Sequence, residues 1–309
     1  MNKYIKISKE VQTALLKNKA VVALETTIIS HGMPYPDNYE IALELESIIR
    51  SNECIPATIG IIDGIIHVGL SKKELLEFSQ RKDIIKASRR DIPYLITKKL
   101  WGSLTVSATM MICAMVGIRF FVTGGLGGVH YGVNETFDIS ADLDEFTKSN
   151  VCVICAGAKA ILDLKKTVEY LETKGVTVIG YQSDTFAAFY SRDSGIQIHQ
   201  RFDTPLQIAK YLCTKDYLGI QYGTIISNPI MKEYEIPKER VDLMVSDALA
   251  LAKNQNITGK NLTPFLLKEM HDYSLGESIQ ANKQLIKNNA TLGSFIAKTY
   301  FECKKMKIY

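Results

Sequence analysis

The sequence is poor in the features that mark several large classes of protein. No apolar run reaches the roughly eighteen residues that would suggest a membrane span. The N-terminal stretch "MNKYIKISKEV" lacks the apolar centre of a signal peptide, and "KKMKIY" at the other end carries no address motif, so a cytoplasmic location is expected. Basic residues number 37 against 33 acidic ones, an excess of four spread along the chain. So small an excess implies no nucleic-acid partner and supports at most a mild preference for anionic small molecules. Cysteine is scarce, at six residues. Cys54, Cys113, Cys213 and Cys303 are scattered in apolar surroundings, and the one C-x-x-C, Cys152 to Cys155, falls inside an apolar strand. With no second pair and no histidine cluster, a zinc site is not expected, and the thiols read as small buried hydrophobes. Repeats, low-complexity segments and Pro- or Ser-rich linkers are missing too.

What is present is alternation. "SKEVQTALLKN" reads as a capped helix and "AVVALET" as a buried strand. "NYEIALELESIIRSN" has apolar residues at helical spacing, with Asn38 placed to cap it. "ATIGIIDGIIHVGL" gives two apolar runs joined by Asp63-Gly64, a hairpin signal that interrupts the parallel pattern. Helices follow in "SKKELLEFS" and "LTVSATMMICAMVG", then strands in "RFFVTGG" and "VCVICAG". Helix "ILDLKKTVEYLETKG", strand "VTVIGYQ", helix "TPLQIAKYLCT", strand "GTIISNPI" and three further helices complete the chain. The pattern predicts one α/β domain over 1–309, with helices on both faces of a mixed, largely parallel sheet.

Residues 124–140, "GGLGGVHYGVNETFDIS", have neither period, and a loop of that length in a compact domain is usually functional. It follows a strand, which raises a dinucleotide or phosphate cradle. The spacing fits G-x-G-x-x-G poorly, since His130 stands where the third glycine belongs, and no G-K-[ST] follows. Four glycines in five positions still bring bare backbone close to something, whether a ligand or the protein's own side chains. In "FDISADL", Asp138 and Asp142 are four apart. They either share one helix face, and then need a cation or proton between them, or serve as cap and first-turn acid beside Ser140. A metal held there by carboxylate and water would be Mg²⁺ or Mn²⁺. Glu25 ends a buried strand among Thr26, Thr27 and Ser30, at the sheet edge where α/β proteins place function. Lys86, Ser88, Arg89 and Arg90 form a cluster suited to phosphate or to a solvated loop. Lys159, just past the apolar "VCVICAG", either snorkels to water or presents a nucleophilic amine in an apolar pocket.

Seven stretches, in order, resemble the pseudouridine-5′-phosphate glycosidases, the family also named for an indigoidine-synthesis protein. They are "LETTIISHGMPYPDN", "KASRRDIP", "TVSATM", "GGLGGVHYG", "TFDISADL", "VICAGAKAILDL" and "TGKNLTPFLL", and the likeness runs from about Ala20 to about Ala297. The resemblance implies a homotrimer of three-layer α/β/α subunits that uses a divalent metal, typically Mn²⁺. It implies reversible cleavage of the C-glycosidic bond of pseudouridine 5′-phosphate, giving uracil and ribose 5-phosphate. Lys159 would be the nucleophile, Glu25 the proton donor and Asp138 the metal ligand. Lys86, the Val106 backbone and the turn Ser140, Ala141 and Asp142 would contact substrate, joined by His130 and Asn282. Some relatives carry a fused sugar kinase; none is expected here, so phosphorylation of free pseudouridine would fall to another protein.

Overall fold

The computed structural model describes residues 3–257 and 262–307. Residues 258–261 of the "TGKNLTPFLL" stretch lie outside them. In chain order the strands are β1 Ile5–Ile7, β2 Val21–Leu24, β3 Ile55–Ile62, β4 Ile65–Val68, β5 Ile85–Ala87 and β6 Gly102–Leu104. They continue with β7 Phe120–Val122, β8 Cys152–Cys155, β9 Thr177–Tyr181, β10 Gln200–Phe202 and β11 Thr224–Ser227. The helices are α1 Lys9–Leu16, α2 Asp37–Ser51, α3 Lys72–Gln80, α4 Ile92–Lys98, α5 Val106–Val116 and α6 Val133–Thr136. After them come α7 Ala141–Glu145, α8 Leu164–Thr173, α9 Pro205–Tyr217, α10 Lys238–Asn254, α11 Leu262–Tyr273 and α12 Glu277–Met306.

The expected α/β architecture, a mixed and mostly parallel sheet covered by helices, is present. The strand order is β1-β4-β3-β2-β7-β8-β11-β9-β10, and the run from β3 to β10 is parallel throughout. Its central members β2, β7, β8 and β11 are buried at every residue, as strands covered on both faces must be, so they read as continuous apolar runs. Helix α12 packs on β2, β7 and β8 with α2 and α9 beside it, while α5 and α7 pack together in the other layer, with α5 against β2 and β7. The antiparallel interruption is the β3–β4 hairpin. Asp63 and Gly64 both take positive φ, 48° and 75°, as a two-residue turn that follows the sheet twist requires.

Strand β3 outruns β2. Its first half pairs with β2, and beyond Leu24 its other neighbour becomes β6, antiparallel at Gly60 and Ile61. That switch opens a gap at the carboxyl end of β2, where the chain departs at Glu25. The short strands β1, β5, β6 and β10 and helix α4 carry too few residues for a period and were not legible in the sequence. Leu104, assigned above to a helix, ends β6 instead, and the helix begins at Val106. Asn38 is not the cap of α2, which starts at Asp37 behind Pro36. Asn38 lies buried in the first turn, and its amide donates to Ile29 O (2.7 Å) and Ser79 O (2.9 Å), tying α2 to α3.

Two glycines share a φ of 81° but differ in surroundings. Gly117, past the end of α5, has open space where a Cβ would go, whereas a Cβ on Gly157 would lie 1.9 Å from Ala187 O. Gly117→Ala should therefore cost only the left-handed strain, about 1 kcal/mol. Gly157→Ala should cost more than about 3 kcal/mol, since backbone must also move. Urea denaturation midpoints of the two variants check the difference.

Candidate active site

The residues singled out above gather at the carboxyl edge of the parallel strands. Glu25 follows β2 and is 9% exposed. Thr26 and Thr27 fasten the chain beside it. The Thr26 hydroxyl donates to Ile59 O and accepts from Leu104 N–H, both at 2.9 Å, and Thr27 donates to Leu104 O at 2.6 Å. A cavity of about 10 Å³, room for roughly one water, lies against Glu25 between Leu24, Ile28, Val122 and Ile286. With such walls, desolvation raises the Glu25 pKa above the usual carboxylate range. Lys159, a hydrogen bond from Thr123 and Lys86 pull it down, and Asp142 adds to the rise. The balance favours the protonated form of Glu25 more than water would.

Lys159 lies past β8, stitched to the glycine stretch. Leu126 N–H donates to Gly157 O, and Lys159 N–H donates to Leu126 O, each at 3.0 Å. Its side chain is half-buried, and among the described residues its amine has no hydrogen-bond or ion-pair partner. The charges of Lys159 and Lys86 act on each other and on Glu25. Lys86, on β5, is exposed at the mouth of the site. Crowding by the walls, then the like charge of Lys159, lower its pKa against the pull of Asp142 and Glu25. Of its neighbours in sequence, Arg89 is committed to the buried Glu145, at 2.7 Å to both oxygens. Arg90 is 90% exposed in its side chain and lies 3.7 Å from the Asp91 carboxylate, so of the three cations only Lys86 stands in the site.

The segment 124–142 resolves the open questions about its glycines and acids. Asp138 and Asp142 do not share a helix face. Ser140 caps α7, accepting from Asp142 N–H at 3.2 Å, and Asp138 lies outside the helix. Asp142 is buried, and its two oxygens accept separately from Ser107 N–H (2.8 Å) and Gly127 N–H (2.9 Å), joining the start of α5 to the glycines. A Cβ on Gly127 would lie 2.2 Å from Ser140 Oγ, and one on Gly128 would lie 2.5 Å from Thr167 Oγ1. Here, then, the bare backbone meets the protein's own side chains. Val106 opens α5 and is buried beside Thr105 and Ser107, whose hydroxyls are 3.1 Å apart, with Ser88 Oγ 3.2 Å further on. Ala141 is exposed and borders an apolar groove, which leaves its backbone as its contribution to the turn.

His130 N–H donates to Asp138 O at 3.0 Å, and both side chains are half-buried. Burial lowers the His130 pKa, the Asp138 charge raises it, and Lys159 and Lys86 lower it again. Among the described residues no three His, Cys, Asp or Glu side chains converge on one point. A cation here would rest on the Asp138 carboxylate with water and ligand oxygens, a set that Mg²⁺ or Mn²⁺ accepts and a thiolate-loving ion does not. Asn282, on α12, lies against Gly124, and its side-chain oxygen is buried without a hydrogen-bond partner among the described residues.

Three further residues escaped the sequence analysis. Thr123, just past β7, donates its hydroxyl to Glu25 Oε1. Asn289, on the buried face of α12, donates to Thr123 O at 2.9 Å and accepts from Asn228 at 2.9 Å. Asn228 in turn follows β11 and donates its N–H to Cys155 O at 2.8 Å. The available signal was an asparagine at helical spacing among Leu285, Ile286, Ala290 and Leu292. Of these connections, the Asp142 bracket is the most exposed to a single change. Asp142→Asn keeps the size but turns an NH₂ toward a backbone N–H, so it should destabilise the protein by about 2 kcal/mol, seen as a lowered thermal midpoint.

Comparison with known proteins identifies the family. Residues 10–299 match the family model described as indigoidine synthase A like protein. The pseudouridine-5′-phosphate glycosidase of Petrotoga mobilis is 53% identical over 297 residues, 96% of this chain and 97% of that one. That of Staphylococcus aureus is 51% identical with the same coverage. Among solved structures, the prealnumycin C-glycosynthase AlnA in complex with ribulose 5-phosphate superposes with a TM-score of 0.92 at 32% identity, covering 99% of this chain and 100% of that one. An indigoidine synthase A-like protein of Thermotoga maritima gives a TM-score of 0.87 at 31% identity, with 96% of each chain covered. The protein belongs to the indigoidine synthase A-like family.

Proposed function

We propose that the protein is a pseudouridine-5′-phosphate glycosidase, cleaving the C–C glycosidic bond of its substrate to uracil and ribose 5-phosphate, reversibly. The observation that carries this reading is the Lys159 amine, without a hydrogen-bond or ion-pair partner among the described residues, in the field of the buried Glu25 whose pKa is raised, in a chain about half identical to glycosidases of that name. The ribulose 5-phosphate bound by a solved relative supports a pentose phosphate in the same cleft.

Uracil joined through C5 has no lone pair on its leaving atom, so a glycosidase with two carboxylates and an oxocarbenium ion is ill suited to release it. Lys159 instead adds its nitrogen to ribose C1′ as the C1′–O4′ bond opens, and the ring oxygen takes up a proton. Glu25 then delivers its proton to uracil C5. The C1′–C5 bond breaks as the nitrogen lone pair forms an iminium, and water hydrolyses that to ribose 5-phosphate and free Lys159. Covalent catalysis divides one hard step into easier ones. The start of α5, with Val106, Thr105 and Ser107, together with Lys86, is suited to the phosphate, since helix N-termini and cations favour anions. The turn Ser140, Ala141 and Asp142 would border the sugar, while the unpartnered oxygen of Asn282 suits an N–H of uracil. Asp138, with His130 beside it, would hold Mn²⁺ or another divalent cation, which when bound supplies positive charge beside substrate oxygens.

We assign the working assembly to a homotrimer and the location to the cytoplasm. An open apolar groove of about 570 Å³, lined by Ile92, Pro93, Ile96, Met111 and Met115 and rimmed by Arg89 and Arg90, supports a copy-to-copy contact. Six free, buried cysteines accord with a reducing compartment.

Incubating the protein with uracil, ribose 5-phosphate and Mn²⁺ should yield pseudouridine 5′-phosphate by mass; no product with the wild-type chain would sink the activity. Borohydride should trap ribose 5-phosphate on the wild-type protein but not on Lys159→Ala or Lys159→Arg, the second of which keeps the charge and loses the imine. Chelator should abolish turnover and Mn²⁺ restore it, with Asp138→Asn requiring about tenfold more metal.

A further inference from the structure

We infer that Thr123 is the positioning residue for proton transfer, and that its hydroxyl dictates which oxygen of Glu25 carries the proton. The inference rests on Glu25 being the proton donor of the glycosidase proposed above. Three observations support it. The Thr123 hydroxyl is buried and, among the described residues, has one hydrogen-bond acceptor, Glu25 Oε1. Its hydrogen therefore goes to Oε1 whatever the ionisation of Glu25. A second hydrogen on Oε1 would face the first, so the proton resides on Oε2, the oxygen left for substrate.

The Thr123 backbone is held on both sides. Its N–H donates to Ile154 O at 3.1 Å, and its carbonyl accepts from Asn289 at 2.9 Å. Asn289 is itself fully buried and anchored by Asn228. The hydroxyl is thus presented from a fixed strand end rather than from a mobile loop, as preorganisation demands. The charged groups acting on Glu25 are Lys159, Asp142 and Lys86, from the three other segments that wall the site. Thr123 contributes the neutral donor among them. It stabilises the carboxylate left after transfer, which offsets part of the desolvation that holds the proton in place.

The sign of the effect follows. A proton donor works below its pKa, so cleavage falls as pH rises through the Glu25 pKa. Removing the Thr123 hydroxyl raises that pKa and moves the descending limb to higher pH. Thr123→Val should shift the limb upward by about one pH unit and lower kcat about tenfold or more, with KM changed by less than about threefold. Thr123→Ser should return the limb and most of kcat, and Thr123→Ala offers a second hydroxyl-free variant if the valine disturbs folding. A limb left at the wild-type pH in the hydroxyl-free variants, or a serine variant as impaired as the valine, would overturn the inference. Infrared difference spectra against Glu25→Gln read the Glu25 carboxyl band without turnover and separate the two levels of the argument. A band whose titration moves upward in Thr123→Val while the wild-type chain makes no pseudouridine 5′-phosphate would sink the activity and keep the hold of Thr123 on Glu25. An unmoved band sinks that hold even if turnover is normal.

Discussion

A carboxyl group kept from water at the end of β2 organises this protein. Desolvation is the largest influence on Glu25, and it acts against ionisation. A buried acid of this kind persists when its oxygens are satisfied and opposite charge stands near. Thr123 supplies the first condition and Lys159, with Lys86 behind it, the second. In the proposed reaction the same surroundings serve chemistry, since burial favours the protonated form of Glu25 beside the nitrogen of Lys159.

Meeting those conditions requires three strand ends to arrive in register. Thr123, Lys159 and Glu25 follow β7, β8 and β2, neighbours in the sheet. Their alignment is maintained from below by Asn289 and Asn228, hydrogen-bonded to each other and to the strand ends in an otherwise apolar layer, which favours one packing of α12 over those strands. From the side, Asp142 brackets α5 against the glycines. Close approach is the common physical requirement: Gly127 admits Ser140 and Asp142, Gly128 admits Thr167, and Gly157 admits the Ala187 carbonyl. A methyl group at any of these would displace the groups that aim the site.

Much of this was legible in the chain itself. The buried strands β2, β7, β8 and β11 announced themselves as apolar runs, and Asp63-Gly64 marked its hairpin because few other residues tolerate positive φ twice. Glu25, Lys86, Asp138, Asp142 and Lys159 stood out as polar residues where the surrounding pattern is apolar or aperiodic. Less legible were the three-residue strands, which are stabilised by neighbours distant in sequence, and the cap of α2, where Asn38 found two carbonyls more useful than a helix terminus. Nor could spacing alone decide between the two arrangements of Asp138 and Asp142; the Ser140 cap decided it.

The sequence by itself determined the layered α/β class, the carboxyl-edge location of Glu25 and Lys159 and, through its motifs, the family. Local period and residue chemistry suffice for those, since each depends on a short stretch of chain. Only the tertiary structure decided that the glycines pack against side chains, that Arg89 neutralises Glu145 instead of serving the site, and that Thr123 and Asn289 support Glu25. Each of those depends on groups 15 to 166 residues apart meeting at hydrogen-bond distance, and no local pattern encodes such a meeting.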